Sequence, residues 1–254
     1  MRTTRRTRIL FTLLSAILLV SLGMNGVLYL RGRMYYHQLN QVRLDPLGLS
    51  VYPAEAVPPP QSEGAPIRVV FLGDSRAAAW PAPVRLDGFE FINRGIGAET
   101  TAQTLARYDA HVSPLYADIL IVQAGINDLK TIPLFPERQE AIIQSVKMNL
   151  AEIVQRALDQ DMRVVLTTII PEGQIPLERR LFWSDGVKQG IDEVNAYLTS
   201  LEGEQITVID TGKVLAGSDG LVRSEYRYDF LHLNEKGYEA LNEELKEVLT
   251  AIQK

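Results

Sequence analysis

Cysteine is absent from all 254 residues, which excludes a disulfide scaffold, a thiolate metal site and a cysteine nucleophile. A cysteine-free chain fits either redox compartment. Histidine is scarce, with only His37, His111 and His232, too few to build a zinc cluster. Acid is missing from residues 1–33, which hold six arginines, so the rest of the chain carries 20 basic against 31 acidic residues. Such a body is a poor partner for nucleic acid, whose affinity rests on neutralising phosphates. Internal repeats and low-complexity tracts are also lacking. With 46% hydrophobic and 22% charged residues, the chain is neither disordered nor fibrous and can bury one sizeable core.

One long apolar run is present. Ile9 to Leu30 holds 22 residues without a formal charge, a helix of about 33 Å and long enough to cross a bilayer. Four arginines precede it and two follow, so the positive-inside bias places residues 1–8 in the cytoplasm and everything after Arg33 across the membrane. A cleaved signal peptide, which would leave a secreted protein, shares the basic start and apolar run. The length of the run and the bulky Leu28-Tyr29-Leu30-Arg31 ending, in place of a small-x-small site, favour a retained anchor. A buried core helix would show a polar face, and this segment has none. Residues 31–66, with Pro58, Pro59 and Pro60 in succession, read as a proline-rich extended spacer, within which Met34 to Leu44 could form a short helix.

From residue 67 to 254 the pattern alternates. Strands are predicted at Ile67–Leu72, Phe89–Ile92, Asp118–Gln123, Arg163–Ile170 and Gln205–Ile209, and helices at Thr100–Val112, Pro136–Asp159, Leu181–Leu201 and Asn234–Ile252. This alternation predicts an α/β domain, a mainly parallel five-stranded sheet covered on both faces. Reactive groups in such sheets gather beyond the carboxyl ends of the strands.

Four polar clusters fall there. The first strand runs into Gly73-Asp74-Ser75-Arg76; the glycine permits a sharp turn, and Ser75 is either a nucleophile beside free backbone N–H groups or simply a helix cap. Asn93 to Thr101, with Gly95, Gly97 and Ala98, is either an oxyanion-binding loop or a structural turn into a helix. The third strand ends in Gly125-Ile126-Asn127-Asp128, where Asn127 could supply a fixed side-chain donor, although Asn-Asp turns are common in parallel sheets. Near the C-terminus Asp229 precedes His232 by three residues, a spacing that lets a carboxylate orient an imidazole.

Together, GDS at Gly73–Ser75, the glycine-bearing turn, GxND at Gly125–Asp128 and DxxH at Asp229–His232 resemble the SGNH (GDSL) hydrolase family, in that family's order and over Ile67 to Ala251. The resemblance implies a three-layer flavodoxin-like fold with strand order 2-1-3-4-5. It implies Ser75 as nucleophile, His232 as general base and Asp229 as its orienting partner. The implied oxyanion hole is the Ser75 N–H, an N–H at Gly97 or Ala98, and the Asn127 side chain. The family's usual glycine falls at Ala98, which can serve if its φ is negative. Arg76 stands where many relatives have an apolar residue, placing a cation beside the substrate.

The implied chemistry is ester hydrolysis through an acyl-enzyme, with no metal or organic cofactor. Expected substrates are O-acyl or O-acetyl groups of a cell-surface glycan; the alternatives are lysophospholipase or acyl-thioesterase action on membrane-derived esters, or a non-hydrolytic acyltransferase or glycan-binding role. Pro171 to Asp185, with Arg179, Arg180, Phe182 and Trp183, is a candidate substrate wall, or else Phe182 and Trp183 anchor a helix in the core.

Overall fold

The computed structural model describes residues 4–53, 58, 62 and 64–253. The chain divides into two units, Met1–Pro46 and Leu47–Lys254. In the first, a single helix α1 spans Arg5–Leu44 and buries no residue within the unit. It is capped by Thr4, whose side chain accepts from the Thr7 N–H at 3.3 Å. An apolar window with mean hydropathy 2.0 makes it long and apolar enough to cross a membrane. The helix does not stop at Leu30, where the spacer was expected to begin. Nothing between Arg31 and Leu44 breaks a helix, since the stretch contains no proline and its lone Gly32 costs only about 1 kcal/mol.

The second unit is built on β1 (Ile67–Gly73), β2 (Phe89–Gly95), β3 (Ile119–Gln123), β4 (Arg163–Thr167) and β5 (Ile206–Ile209). All pairings are parallel, in the order β2-β1-β3-β4-β5, the order that the resemblance implied. Between the strands lie α2 (Ser75–Ala78), α3 (Thr101–Ala106), α4 (Tyr108–His111), α5 (Ile126–Leu129), α6 (Gln139–Leu158), α7 (Asp185–Thr199), α8 (Thr211–Leu215) and α9 (Glu235–Gln253).

Successive strand residues point to opposite faces, so each strand feeds two cores. Val70, Leu72, Leu120, Val122, Val164 and Leu166 pack with α6 and α7. Val69, Phe71, Ile119, Ile121, Val165 and Ile209 pack with α9 and Trp80. A sheet buried on both sides explains the continuous apolar runs.

Several boundaries differ from the predicted ones: β2 runs on past Ile92 to Gly95 and β4 stops at Thr167, short of Ile170. Thr100–Val112 is broken at Arg107 into α3 and α4, because the buried Arg107 side chain turns inward and its helix caps there. Pro136–Arg138 forms a 3-10 turn before α6, the proline lacking an N–H for an interior position. Leu177–Phe182 is likewise a separate 3-10 turn, and α7 begins only at Asp185. Of the expected spacer, Leu47 onward falls in the second unit. Tyr52 there donates its hydroxyl to the Gly95 carbonyl at 2.6 Å. Its ring lies 4.6 Å from the Arg94 guanidinium and meets His111 edge-on at 5.4 Å. Residues 54–57, 59–61 and 63 of that spacer lie outside the described residues.

The register decides where the loops emerge. Gly73 pairs with Gly95 on one side and Gln123 on the other, so the chain leaves three neighbouring strands at one level. Glycine at 95 is required by close approach: a Cβ there would stand 2.2 Å from the Ala78 backbone nitrogen. Gly95→Ala should therefore lower stability by about 1–3 kcal/mol or more, read as a drop in thermal midpoint, whereas the open Gly220, already at φ 77 with nothing within 4 Å, should respond to alanine only through its backbone preference.

Candidate active site

Ser75 is the first residue of α2, whose cap Asp74 accepts from the Arg76 N–H at 2.9 Å. Gly73 reaches this turn at φ 150, where a Cβ would collide with the Gln123 carbonyl. The strand thus bends sharply and presents the Ser75 side chain at the carboxyl edge. Ser75 Oγ lies 3.1 Å from His232 Nε2. The other ring nitrogen, Nδ1, is 2.9 Å from Asp229 Oδ2 and 3.1 Å from Oδ1. Serine, histidine and aspartate form one chain of contacts across 157 residues of separation.

Asp229 is held from below. Its Oδ1 accepts the Leu231 and His232 backbone N–H groups, each at 2.7 Å. Partial burial works to raise its pKa, but the hydrogen bonds from the His232 ring and from those two N–H groups prevail and keep the carboxyl below the usual range. It stays ionised wherever His232 could need a partner. Both side chains remain about 40% exposed, open to solvent and ligand.

Of the oxyanion-hole candidates, Gly97 lies beside the nucleophile turn. A Cβ built on Gly97 would be 4.0 Å from the Ser75 Cβ. Asn127, 5% exposed, donates one Nδ2 N–H to the Glu99 carbonyl at 2.8 Å. Its Oδ1 accepts from Lys130 Nζ at 2.5 Å. With the oxygen engaged by an ammonium, Nδ2 is fixed as the donor end. Ala98 departs from expectation: its φ is 65, not negative. Alanine in this left-handed region costs about 1–2 kcal/mol, a local strain that glycine would escape.

Arg76 is also corrected. It is fully buried, its Nε donating to the Leu231 carbonyl at 2.8 Å and Nη1 to the Ile170 carbonyl at 2.7 Å. No substrate can reach it. Trp183, by contrast, shares with Phe182, Leu134, Arg179 and Lys130 the wall of a cavity of about 380 Å³ that also includes Asp229 and His232. Its ring meets Phe230 edge-on at 5.5 Å.

Sequence reasoning missed a buried support beneath the site. Arg107 Nε pairs with Glu99 Oε2 at 2.7 Å, both side chains nearly inaccessible, and Arg107 Nη2 donates to the Gly73 carbonyl at 3.1 Å. A lone arginine in a helical pattern carries no signal of this. Asp128 was visible as part of GxND but without its role: it accepts from the Thr101 N–H and hydroxyl, both at 2.9 Å, tying the third loop to the start of α3.

Residues 62–240 match the model of the GDSL-like lipase/acylhydrolase family. No curated protein sequence matches. Among solved structures, a GDSL-like lipase of Bacteroides thetaiotaomicron is 20% identical with a TM-score of 0.64, covering 81% of this chain and 98% of its own. An acylhydrolase-like protein of Bacteroides fragilis is 21% identical with a TM-score of 0.66, covering 83% and 99%. An acetylxylan esterase of Geobacillus stearothermophilus is 17% identical with a TM-score of 0.52, covering 74% and 95%.

Burial raises the Asp128 carboxyl to about 6, against the opposing pull of its Thr101 hydrogen bonds. Because the folded chain then holds a proton that the unfolded chain releases near its ordinary value of 3.8, stability contributed here is present at low pH and is lost as pH rises toward 6. Thermal midpoints of the parent and Asp128→Asn, compared from pH 4 to 7, should diverge across that window, and parallel curves would count against the shift.

Proposed function

The chain belongs to the GDSL-like lipase/acylhydrolase family and is an ester hydrolase, and from that premise we propose that Ser75, His232 and Asp229 are its catalytic triad. The carrying observation is the 3.1 Å approach of Ser75 Oγ to His232 Nε2, with Nδ1 held 2.9 Å from Asp229. His232 takes the serine proton as Oγ attacks the ester carbonyl, and ionised Asp229 stabilises the resulting imidazolium. The tetrahedral oxyanion is met by the N–H of Ser75, an N–H at Gly97 or Ala98, and Asn127 Nδ2. His232 then protonates the departing alkoxide, leaving an acyl-serine that water, activated by the same imidazole, hydrolyses.

The proposed substrates are O-acyl groups, chiefly O-acetyl, on a cell-surface glycan, a reading supported by the fold shared with an acetylxylan esterase. One observation favours a second reading, in which the acyl chain is long and membrane-derived. Leu134 and Phe182 line the cavity beside His232 yet are 59% and 57% exposed, and Leu181 next to them is 87% exposed. An apolar rim of this kind suits an acyl chain better than a sugar.

The full chain in detergent should hydrolyse p-nitrophenyl esters, and Ser75→Ala should not; equal rates from the two would sink the assignment. Asn127→Ala should lose about 10²–10³ in turnover, and Asp229→Asn about 10⁴. A sharp preference for acetyl supports glycan deacetylation, while rates that climb with chain length support the lipid reading.

We propose further that α1 is a retained anchor with the N-terminus cytoplasmic and the hydrolase domain extracytoplasmic. A reporter active only outside the cytoplasm, fused after Lys254, should be active; an inactive fusion beside an active cytoplasmic one would reverse the orientation.

A further inference from the structure

We infer that Arg76 is a positioning residue that clamps the loop bearing His232 and Asp229 onto the nucleophile turn. The inference rests on the triad proposed above but concerns no particular substrate. Arg76 follows Ser75 directly and is among the largest fully buried side chains. Its backbone is fixed at both ends, the N–H by Asp74 Oδ1 at 2.9 Å and the carbonyl by the Tyr238 hydroxyl at 2.9 Å. From this immobile base the guanidinium reaches two carbonyls on separate segments, Leu231 at 2.8 Å and Ile170 at 2.7 Å.

The Leu231 contact is the informative one. Leu231 lies between Asp229 and His232, and its N–H donates to Asp229 Oδ1 at 2.7 Å. One residue therefore gives its N–H to the triad carboxylate and its C=O to Arg76. The acid and the base have side chains about 40% exposed, on a turn whose Leu231 is partly buried against one core and whose Leu233 is buried in the other. Through Arg76 that turn is fastened to the residue next to the nucleophile and to the end of the chain leaving β4. Both partners of the 3.1 Å Ser75–His232 contact are thus referred to one rigid group.

The choice of arginine follows from the two acceptors. A planar guanidinium directs separate N–H groups along fixed lines, whereas a lysine ammonium is a single point that cannot serve two carbonyls on different segments with the same geometry. Burying the cation carries a desolvation cost, which acts to lower its pKa and which the Asp74 carboxylate partly offsets.

The test compares the full chain with Arg76→Lys and Arg76→Ala in detergent, with all rates taken per folded molecule. Because displacement by about 1 Å can cost 10²-fold in rate, kcat should fall by about 10- to 100-fold in both variants while KM stays close to the parent value. The labelling rate of Ser75 by a small fluorophosphonate should fall with kcat. Methylguanidine should restore turnover to Arg76→Ala and leave Arg76→Lys unchanged, and the downfield His232 Nδ1 proton resonance should weaken in the variants and return on rescue. The clamp is overturned if either variant keeps kcat and labelling within about threefold of the parent, or if activity is lost without any recovery by methylguanidine. Ser75→Ala separates the two failures: residual turnover there defeats the triad itself, whereas a dead Ser75→Ala beside a normal Arg76→Lys defeats only the clamp.

Discussion

The parallel register that ends β1, β2 and β3 at one level is the constraint from which the site follows. Gly73, Gly95 and Gln123 are lateral partners, so the next few residues of each strand emerge side by side: Ser75 from the first, Gly97 from the second, Asn127 from the third. A slip of one residue in any strand would exchange its two faces. In β1 that would drive Val70 and Leu72 out of one core and Val69 and Phe71 out of the other. The two cores, and not any contact among the polar residues, therefore make this register costly to change. Only His232 and Asp229 come from outside this group of loops, which is why they need a fastening of their own.

Rigidity and exposure are divided between two levels. Beneath the strand ends lie buried charges, Asp74 and Arg76 on one side and the Glu99–Arg107 pair on the other. Arg107 holds the Gly73 carbonyl and Arg76 holds that of Leu231. Such charges are a poor source of net stability, because desolvation offsets much of their attraction, but removing one partner leaves the other buried and uncompensated. Their worth is directional, since each guanidinium fixes a backbone carbonyl, Arg107 that of Gly73 at the end of β1 and Arg76 that of Leu231 in the His232 turn. Above them, Asp229 and His232 remain open enough for an ester and a water molecule to enter.

Much of this was legible in the sequence, and the reasons differ by element. The inner strands β1, β3 and β4 appear as short apolar runs because both faces are buried, and Ser75, Asp229 and His232 stand out because serine, aspartate and histidine sit at turns where a packed sheet has no need of them. Arg76 was visible but misread: a charge beside a nucleophile suggests a substrate contact, and only burial reveals that it points inward. For Ala98 the sequence left the backbone open, since nothing in a residue name sets φ, and its value of 65 belongs to the turn between β2 and α3. The break at Arg107 escaped notice because the helical period continues through it while the side chain turns under β1.

The segment after α1 carries the last consequence of the same logic. A proline-rich stretch reads as spacer, because composition reports the absence of a core but not docking onto one. Yet Tyr52 bonds the Gly95 carbonyl, the last residue of β2, and packs on Arg94 and His111. A side chain at Gly48 would run into Ile96 and close on Glu99, so this strap lies against the loop that carries Gly97 and Ala98. That loop contains a strained alanine, Ala98 at φ 65, and carries the Gly97 and Ala98 N–H groups proposed above to meet the oxyanion. Residues 47–53 thus reach both this loop and the Glu99 side chain that pairs with Arg107, and a strap that composition alone would assign to a tether joins the buried support of the loop.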